Sequence, residues 1–217
     1  MAFDFLSFLF PARCIGCKKR GGALCKRCMA KIPPAGDVEV RGGMAMFDYG
    51  SALVERAIHD MKYYRKSEAV AVLATSGSEQ IAEFVADALQ SVSPERIIFV
   101  PIPQHRRKTR ERGFNQSELI AQLFSKSIDG ARVERLLEKY RATLPQAHIR
   151  NKSARLKNVN DSLRPLRHAE ADALYLIVDD VTTTGATFEE ARRALRAAGA
   201  RNILCIALAH GYARKRK

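Results

Sequence analysis

Leu174-Tyr-Leu-Ile-Val-Asp-Asp-Val-Thr-Thr-Thr-Gly-Ala-Thr187 joins an apolar run to two adjacent aspartates and a loop of threonine and glycine. The apolar run is rich in β-formers and predicts a buried strand that ends at Asp179 and Asp180. The next segment, 188–198, predicts an amphipathic helix that is stopped by Gly199. One face of this helix carries the apolar side chains of Phe188, Ala191, Leu195 and Ala198. A strand, a tight turn and a helix are the repeating unit of a parallel α/β sheet.

The turn in this unit predicts an anion-binding site. A loop between a parallel strand and the following helix lies at the carboxyl edge of the sheet, where the first N–H groups of the helix lack internal partners. Gly185 lets the backbone approach an anion closely. Hydroxyl groups that add no negative charge are offered by Thr182, Thr183, Thr184 and Thr187. The turn is therefore suited to a phosphate group.

The paired carboxylates of Asp179 and Asp180 suit a different part of the same ligand. They repel a phosphate, but they accept hydrogen bonds from sugar hydroxyls or hold a hydrated Mg²⁺. A ribose that carries a 5′-phosphate satisfies both the carboxylates and the turn. The alternative interpretation is an ordinary strand, turn and helix with a capping threonine and solvated aspartates. The stretch contains neither Gly-Lys-Thr/Ser nor Gly-x-Gly-x-x-Gly, which excludes two other phosphate-binding loops.

The segment from Asp179 to Thr187 resembles the phosphoribosyl-pyrophosphate loop of type I phosphoribosyltransferases. The resemblance implies that Asp179 and Asp180 are the catalytic carboxylates and bind the ribose hydroxyls, with Mg²⁺ accompanying the ligand. It implies that the ligand's phosphate lies on Thr182, Thr183, Thr184, Gly185, Ala186 and Thr187. During turnover, Mg²⁺ and nearby cations would stabilise the leaving pyrophosphate, while the carboxylates stabilise positive charge at the sugar carbon.

Two Cys-x-x-Cys pairs near the amino end predict a structural zinc site. Cys14 and Cys17 are separated by seven residues from Cys25 and Cys28, and four thiolates so spaced can close a tetrahedral Zn²⁺ site. Such a site has no open coordination position, so the metal would stabilise the fold and not catalyse. Disulfides are the rival interpretation, which a cytoplasmic setting disfavours. The fifth cysteine, Cys205, lies in an apolar run and is predicted to be a core residue.

Length, composition and charge set further limits. A chain of 217 residues with 47% apolar content has room for one packed α/β domain and a small appendage. The net charge of +14 favours anionic partners such as polyphosphates, nucleic acid or anionic lipid. The apolar run 1–10 is too short to cross a bilayer and carries Asp4 where a signal peptide carries a basic residue. We therefore expect a short helix there and a cytoplasmic protein that does not span a membrane, with peripheral association with the inner membrane left open.

Hydrophobic periodicity predicts the remaining elements. Strands are expected at 43–49 and 96–100, and helices at 51–63, 67–90 and 117–124. The helix at 67–90 is interrupted near Gly77. The helix at 51–63 ends in the basic and aromatic cluster Lys62–Lys66. This cluster suits either a solvated helix end or contact with phosphate or nucleic acid. Segment 140–158 is either a flap over the cleft or a solvated surface helix. The basic tail 213–217 is available to polyanions.

A cationic loop is predicted between the strand at 96–100 and the helix at 117–124. Its basic residues are Arg106, Arg107, Lys108, Arg110 and Arg112. Such a density of positive charge is costly to fold unless an anion is bound. Beside a ribose-phosphate site, that anion would be a pyrophosphate or a nucleic-acid backbone. Arg110 and Arg112 are the candidates for the pyrophosphate side.

Several motifs, taken in order along nearly the whole chain, resemble those of the ComF family, also called ComFC. They are the four-cysteine pair, Pro101-Ile-Pro103, Arg110–Gln116, Pro145-Gln146, Arg155–Asn158 and the aspartate-threonine loop. The resemblance implies an apolar helix, a zinc ribbon and a linker at 1–36, followed by a phosphoribosyltransferase-like domain at 37–217. That domain would be an open, mainly parallel α/β sheet flanked by helices. The resemblance also implies a role in competence for natural transformation, in which incoming single-stranded DNA is handled together with DNA-uptake proteins.

Three functions remain open at this point. The first is a phosphoribosyltransferase with an unknown acceptor. The second is a nucleotide-sensing regulator that keeps the binding loop without catalysis. The third is a DNA-binding adaptor in which the ribose-phosphate site is vestigial and the basic loop and zinc head contact DNA.

Overall fold

The computed structural model describes residues 12–38, 40–140 and 162–211. Predictions for the apolar run 1–10, for the flap or helix after Tyr140 and for the basic tail lie outside these residues. None of the described helices is long and apolar enough to cross a membrane.

A five-stranded parallel sheet forms the centre of the molecule. The described strands are β1 (Gly43–Asp48), β2 (Arg96–Pro101), β3 (Arg132–Val133), β4 (Leu137–Lys139), β5 (Leu163–Pro165), β6 (Ala173–Thr182) and β7 (Asn202–His210). The order in the large sheet is β1-β7-β6-β2-β3, and every neighbouring pair is parallel. β4 and β5 form a separate antiparallel pair.

Helices cover both faces of the large sheet. They are α1 (Lys26–Met29), α2 (Ala52–Tyr64), α3 (Glu68–Ser76), α4 (Ser78–Leu89), α5 (Arg106–Arg112), α6 (Gln116–Ser125) and α7 (Ala186–Ala197). One core contains the buried faces of α2, α3, α4 and α6, and the other contains those of α7 and the β4–β5 pair. The fold class predicted from the sequence, an open parallel α/β sheet flanked by helices, is confirmed.

The central strand β6 contributes to both cores. Leu174 and Leu176 belong to one core, and Tyr175 and Ile177 to the other, as the alternation of side chains along a strand requires. The strand was predicted to end at the aspartates, but it continues to Thr182. The physical reason is that β7 pairs with it over this whole length, so the backbone groups after the aspartates still have ladder partners.

Gly77 separates α3 from α4, which confirms the predicted interruption. A Cβ at Gly77 would lie 1.6 Å from Cε of the buried Met46. The break therefore lets the chain pass close to β1.

The cationic segment was predicted to be a loop, and this prediction is wrong because residues 106–112 form α5. His105 Nδ1 accepts a hydrogen bond from the N–H of Arg107 and caps the helix start. Arg107 and Glu111 form an ion pair one turn apart, with 2.9 Å between nitrogen and oxygen. Gly113 ends the helix at a φ of 83°.

The cysteine segment packs against α2. A Cβ at Gly16 would lie 2.8 Å from Cys28 Sγ and 3.0 Å from Cδ2 of Leu53, which is on α2. Cys14, Leu24 and Cys28 are buried in the same core as α2. The segment that follows pairs with the edge of β1, where the N–H of Ala35 donates to the carbonyl of Met46 at 3.1 Å. The boundary at residue 36 remains a prediction.

Candidate functional site

The turn between β6 and α7 lies at the carboxyl edge of the sheet. Gly185 is the N-cap of α7 and has a φ of 72°, a conformation that favours glycine. A glycine cap has no side chain that could accept from the first N–H groups of α7, so a bound anion could take that role. The predicted inner face of the helix is confirmed, since all four of its apolar residues are buried.

The hydroxyl group of Thr184 is buried without a hydrogen-bond partner among the described residues. Leaving a buried hydroxyl unsatisfied costs about 1–3 kcal/mol, so an acceptor at this position would be stabilising. A phosphate oxygen is such an acceptor. The loop also contains Thr183 and Thr187, which are partly buried, and Thr182 and Ala186, which are buried.

The end of β7 holds the turn in place. The N–H of Gly211 donates to the carbonyl of Thr182 at 2.8 Å, and His210 Nε2 lies 3.2 Å from the carbonyl of Thr183. These contacts tie the backbone of Thr182 and Thr183 to the end of β7.

Asp179 is held by the start of α6. Asn115 caps that helix by accepting from the N–H of Ser117, and Ser117 Oγ donates to Asp179 Oδ1 at 3.0 Å. The N–H of Asp180 donates to the same oxygen at 2.8 Å. Burial, reinforced by the charge of Asp180, raises the pKa of Asp179 from 3.8 to about 7, against these donors and Lys62.

Asp180 forms an ion pair that was not predicted from the sequence. Lys62 Nζ, at the end of α2, lies 2.7 Å from Asp180 Oδ2, and both side chains are largely buried. Burial opposes the charge on Lys62, but Asp180 and then Asp179 outweigh it and raise the lysine pKa. The cluster Lys62–Lys66 was the signal in the sequence, although nothing in it identified Asp180 as the partner.

Two further lysines lie within electrostatic range of the aspartates. Burial, with help from Arg112 and Lys62, lowers the pKa of Lys108 against the charge of Asp180. Burial and then Lys108 lower the pKa of Lys139 against the charge of Asp179. Lysines from α2, α5 and β4 therefore act electrostatically on the acid pair, a combination that the sequence alone could not reveal.

A polar cavity of about 230 Å³ lies beside Lys139. It is lined by His105, Arg106, Glu138, Lys139, Tyr140 and Arg164. Glu138 is the acidic member, and it forms ion pairs with Arg106 and Arg164. The cavity is suited to a small, highly charged anion.

Arg110 and Arg112, the predicted pyrophosphate residues, both lie on α5. Arg112 Nη1 donates to the side-chain oxygens of Gln104 at 3.3 Å and Gln116 at 3.1 Å. Arg110 is exposed, and the contacts of the described residues do not connect it to the aspartates. The structure thus brings Arg112 near Lys108 and leaves the role of Arg110 a prediction.

The four amino-terminal cysteines form one cluster. Their sulfur atoms all lie within 4.8 Å of one another, and Cys17 and Cys25 are separated by 3.7 Å. Sulfur atoms around a tetrahedral zinc with bonds of about 2.3 Å are about 3.8 Å apart, whereas a disulfide bond is about 2.05 Å. All five cysteines are free thiols, and Cys205 is buried in the core as predicted.

The electrostatics of the cluster favour a cation at its centre. Burial raises the pKa of Cys14, but hydrogen bonds from the N–H groups of Cys25, Cys17 and Gly16 outweigh it and lower the value to about 6. Burial and the neighbouring thiols raise the pKa of Cys28 to about 12. Four thiolates this close together would repel one another unless a cation lay between them, so the donor set fits a metal such as zinc.

Comparison with known proteins gives several relatives. DNA utilization protein YhgH of Salmonella typhi is 32% identical over 183 residues, which cover 82% of this chain and 74% of that protein. The protein of the same name in Escherichia coli K12 is also 32% identical, over 81% of this chain and 73% of its own length. Competence protein F of Haemophilus influenzae is 32% identical over 112 residues, covering 51% of this chain and 48% of that protein.

Comparisons with protein-family models and with solved structures do not extend this result. No protein-family model matches the chain. Purine phosphoribosyltransferase from Pyrococcus horikoshii covers 73% of this chain and 80% of its own, but its TM-score of 0.32 and identity of 18% are too low to support an argument.

The fold and the site together define the class of this protein. It is an α/β protein with an acid pair and a glycine-capped helix start at the carboxyl edge of a parallel sheet, and with an amino-terminal four-cysteine cluster. The chain belongs to the ComF family, with DNA utilization protein YhgH and competence protein F among its relatives. The family predicted from the sequence motifs is thereby confirmed.

Proposed function

We propose that this chain binds phosphoribosyl pyrophosphate with Mg²⁺ and acts as a phosphoribosyltransferase-type protein in the handling of single-stranded DNA. The observation that carries the proposal is the buried hydroxyl of Thr184, which has no hydrogen-bond partner among the described residues and lies beside the glycine-capped start of α7. A 5′-phosphate would satisfy both, since its oxygens accept from the hydroxyl and from the N–H groups of the helix.

The ribose would lie over Asp179 and Asp180. Carboxylates accept hydrogen bonds from vicinal hydroxyls, and their oxygens are ligands that Mg²⁺ prefers. Lys62 neutralises the Asp180 carboxylate in the structure. A hydrated metal or the ribose hydroxyls would share this carboxylate with the lysine or displace the lysine from it. Mg²⁺, when bound with the ligand, would supply charge neutralisation for the departing pyrophosphate.

The pyrophosphate would lie on the cationic side of the acid pair. Lys108 and Lys139 support this assignment because each of them interacts electrostatically with one of the aspartates. Arg112 lies near Lys108, and Arg110 is the further candidate from the same helix. The cavity beside Lys139 offers Arg106 and Arg164 for the distal phosphate.

The four-cysteine cluster would hold a structural Zn²⁺. A closed set of four sulfur ligands leaves no coordination position for a substrate. The metal would therefore act by holding the amino-terminal segment against α2, where Gly16 packs on Leu53.

A role with DNA is proposed from the relatives and the charge. The names of the relatives refer to DNA utilization and to competence, and the net charge of +14 favours a polyanion. We propose that the protein acts in the cytoplasm with DNA-uptake proteins, where incoming single strands become available.

Pyrophosphate release separates the three functions that the sequence left open. Purified protein is incubated with phosphoribosyl pyrophosphate, Mg²⁺ and a panel of nucleobases, while binding is followed separately by calorimetry. A transferase releases pyrophosphate with one acceptor and loses turnover in Asp179→Asn. A regulator binds the ligand without release. An adaptor with a vestigial site binds single-stranded DNA but gives no heat with the ligand, which would overturn the ribose-phosphate proposal.

A further inference from the structure

Two tyrosines at the end of α2 are unusually exposed. Tyr63 and Tyr64 are 64% and 63% exposed, more than any other large hydrophobic side chain among the described residues. They follow Lys62 directly, and Lys62 binds Asp180 in the candidate site. Exposed aromatic rings beside a ligand site are candidates for contacts with that ligand or with a neighbouring part of it.

The ring of Tyr63 is held in place although most of its surface is open. The guanidinium carbon of Arg112 lies 5.7 Å from the ring centroid, a distance at which cation–π attraction operates. His59, one turn earlier on α2, lies 4.7 Å from the ring of Tyr63 and 5.7 Å from that of Tyr64. These contacts restrict the rings and so reduce the entropy that a stacked partner would cost.

Positive charge surrounds the two rings. Arg65 follows them and lies against Gly113 at the end of α5, since a Cβ at Gly113 would be 2.6 Å from its Nη2. Lys66 is exposed beside it, and Lys108 lies within electrostatic range of both Arg112 and Lys62. The surface therefore combines flat aromatic faces with cations from two helices.

We propose that Tyr63 and Tyr64 form a stacking platform for the bases of single-stranded nucleic acid, with the sugar-phosphate backbone on Arg65 and Lys66. This inference rests on the single-strand handling in the proposed function and assigns it to a surface beside the ribose-phosphate site. A strand has unpaired bases whose faces are free to stack, whereas a duplex buries those faces. An ordinary protein partner would instead favour an apolar surface with little like charge.

The absence of tryptophan from the sequence permits a direct optical test. Tyr63→Trp and Tyr64→Trp each introduce a unique fluorophore into the full chain, and Leu89→Trp, on α4, is the matched control at another exposed apolar position. Titration with a poly-dT oligonucleotide is expected to quench the first two variants and to leave the control unchanged. Equal emission from all three would overturn the platform.

Affinity measurements provide the second test. Tyr63→Ala and Tyr64→Ala are each expected to weaken oligonucleotide binding by about 5- to 100-fold, while Tyr63→Phe retains the ring and the affinity. Thermal denaturation, expected to be unchanged in all three variants, shows that they remain folded.

The outcomes distinguish this inference from the proposed function. If the wild-type protein binds single strands and the alanine variants bind equally well, the platform is wrong and the DNA role stands. If the wild-type protein binds phosphoribosyl pyrophosphate but no single strand, both the platform and the DNA role are wrong. Equal affinity for an oligonucleotide and its duplex would also contradict base stacking.

Discussion

Asp180 and Lys62 are far apart in the sequence, but each neutralises the charge of the other in the folded protein. Their ion pair is only partly exposed, with 12% and 21% of the side-chain surfaces accessible. Removing one partner from a pair of this kind leaves a charge that is desolvated and uncompensated.

We expect Asp180→Asn to lower the free energy of unfolding by about 2 kcal/mol, less than for a fully buried pair, because Asp179 still compensates part of the Lys62 charge. The double variant Asp180→Asn with Lys62→Met should recover much of that loss, because it removes the unpaired ammonium group. Urea denaturation of the four proteins in the cycle measures the coupling. Strictly additive losses would mean that the pair contributes nothing.

Asp179 gives a prediction about pH. Its pKa is raised from 3.8 to about 7 by burial and by the charge of Asp180, so the folded protein holds this proton more tightly than the unfolded chain. The stabilisation is complete below about 4 and is lost as the pH rises through about 7.

The difference in stability between the wild-type protein and Asp179→Asn should therefore depend on pH. We expect the wild-type protein to lose a few kcal/mol relative to the variant between about pH 4 and pH 8. The asparagine keeps an oxygen that can accept from Ser117 and from the N–H of Asp180. Denaturation curves at several pH values measure the difference, and a constant offset would refute the assigned shift.

Only some of the residues in the site could be predicted from the sequence. The aspartates and the threonines occupy one continuous stretch, so their proximity follows from the sequence. Lys62, Ser117 and Lys139 belong to α2, α6 and β4, and their approach depends on how three elements pack around the end of β6.

At the scale of elements, the turn before α7 depends on the backbone of Gly185. Its φ of 72° places it in the left-handed region, where an alanine costs about 1–2 kcal/mol. Gly130 has a φ of 73°, and a Cβ added to it would meet no atom within 4 Å, so Gly130→Ala isolates that backbone cost.

Gly185→Ala and Gly130→Ala both incur this backbone cost, but they should differ in ligand binding. We expect only Gly185→Ala to weaken binding of phosphoribosyl pyrophosphate, by about tenfold or more, because it disturbs the amides that would face the phosphate. Thermal denaturation and calorimetry measure the two effects. Equal ligand affinity in both variants would show that this turn is not the phosphate site.

Element boundaries also show where sequence patterns are insufficient. The cationic segment 106–112 has no apolar periodicity, and so it was predicted to be a loop. It is helical because His105 caps it, an ion pair links its turns and Gly113 can end it in a left-handed conformation. Local contacts of this kind involve polar groups, so hydrophobic periodicity does not reveal them.

At the scale of the whole molecule, the cysteine cluster shares its core with α2. Cys14, Leu24 and Cys28 are buried together with residues of that helix. Metal at the cluster should therefore support the main domain as well as the amino-terminal segment.

Removal of zinc is expected to lower the melting temperature by about 10 °C or more. Cys17→Ser should have the same effect and should reduce the bound zinc measured by atomic absorption. Cys205→Ser changes a buried cysteine outside the cluster, so its zinc content should equal that of the wild-type protein. A protein that purifies without metal and gains no stability from added zinc would contradict the assignment.

The overall architecture was the most predictable feature. Strands and helices of alternating type, together with the four-cysteine spacing, predicted a parallel sheet with a small metal-binding head. The sequence could not predict that this head packs on α2 through Gly16, or that the segment after it pairs with β1, because both contacts depend on tertiary packing.

Calorimetric titration of Thr184→Val with phosphoribosyl pyrophosphate and Mg²⁺ tests the central claim most directly. Valine has nearly the shape of threonine but lacks the hydroxyl that is buried without a partner in the described part of the chain. We predict that the variant is as stable as the wild-type protein or more stable, while its affinity for the ligand falls by about tenfold or more. Unchanged affinity, or no binding by the wild-type protein, would contradict the claim that this turn holds a phosphorylated ribose.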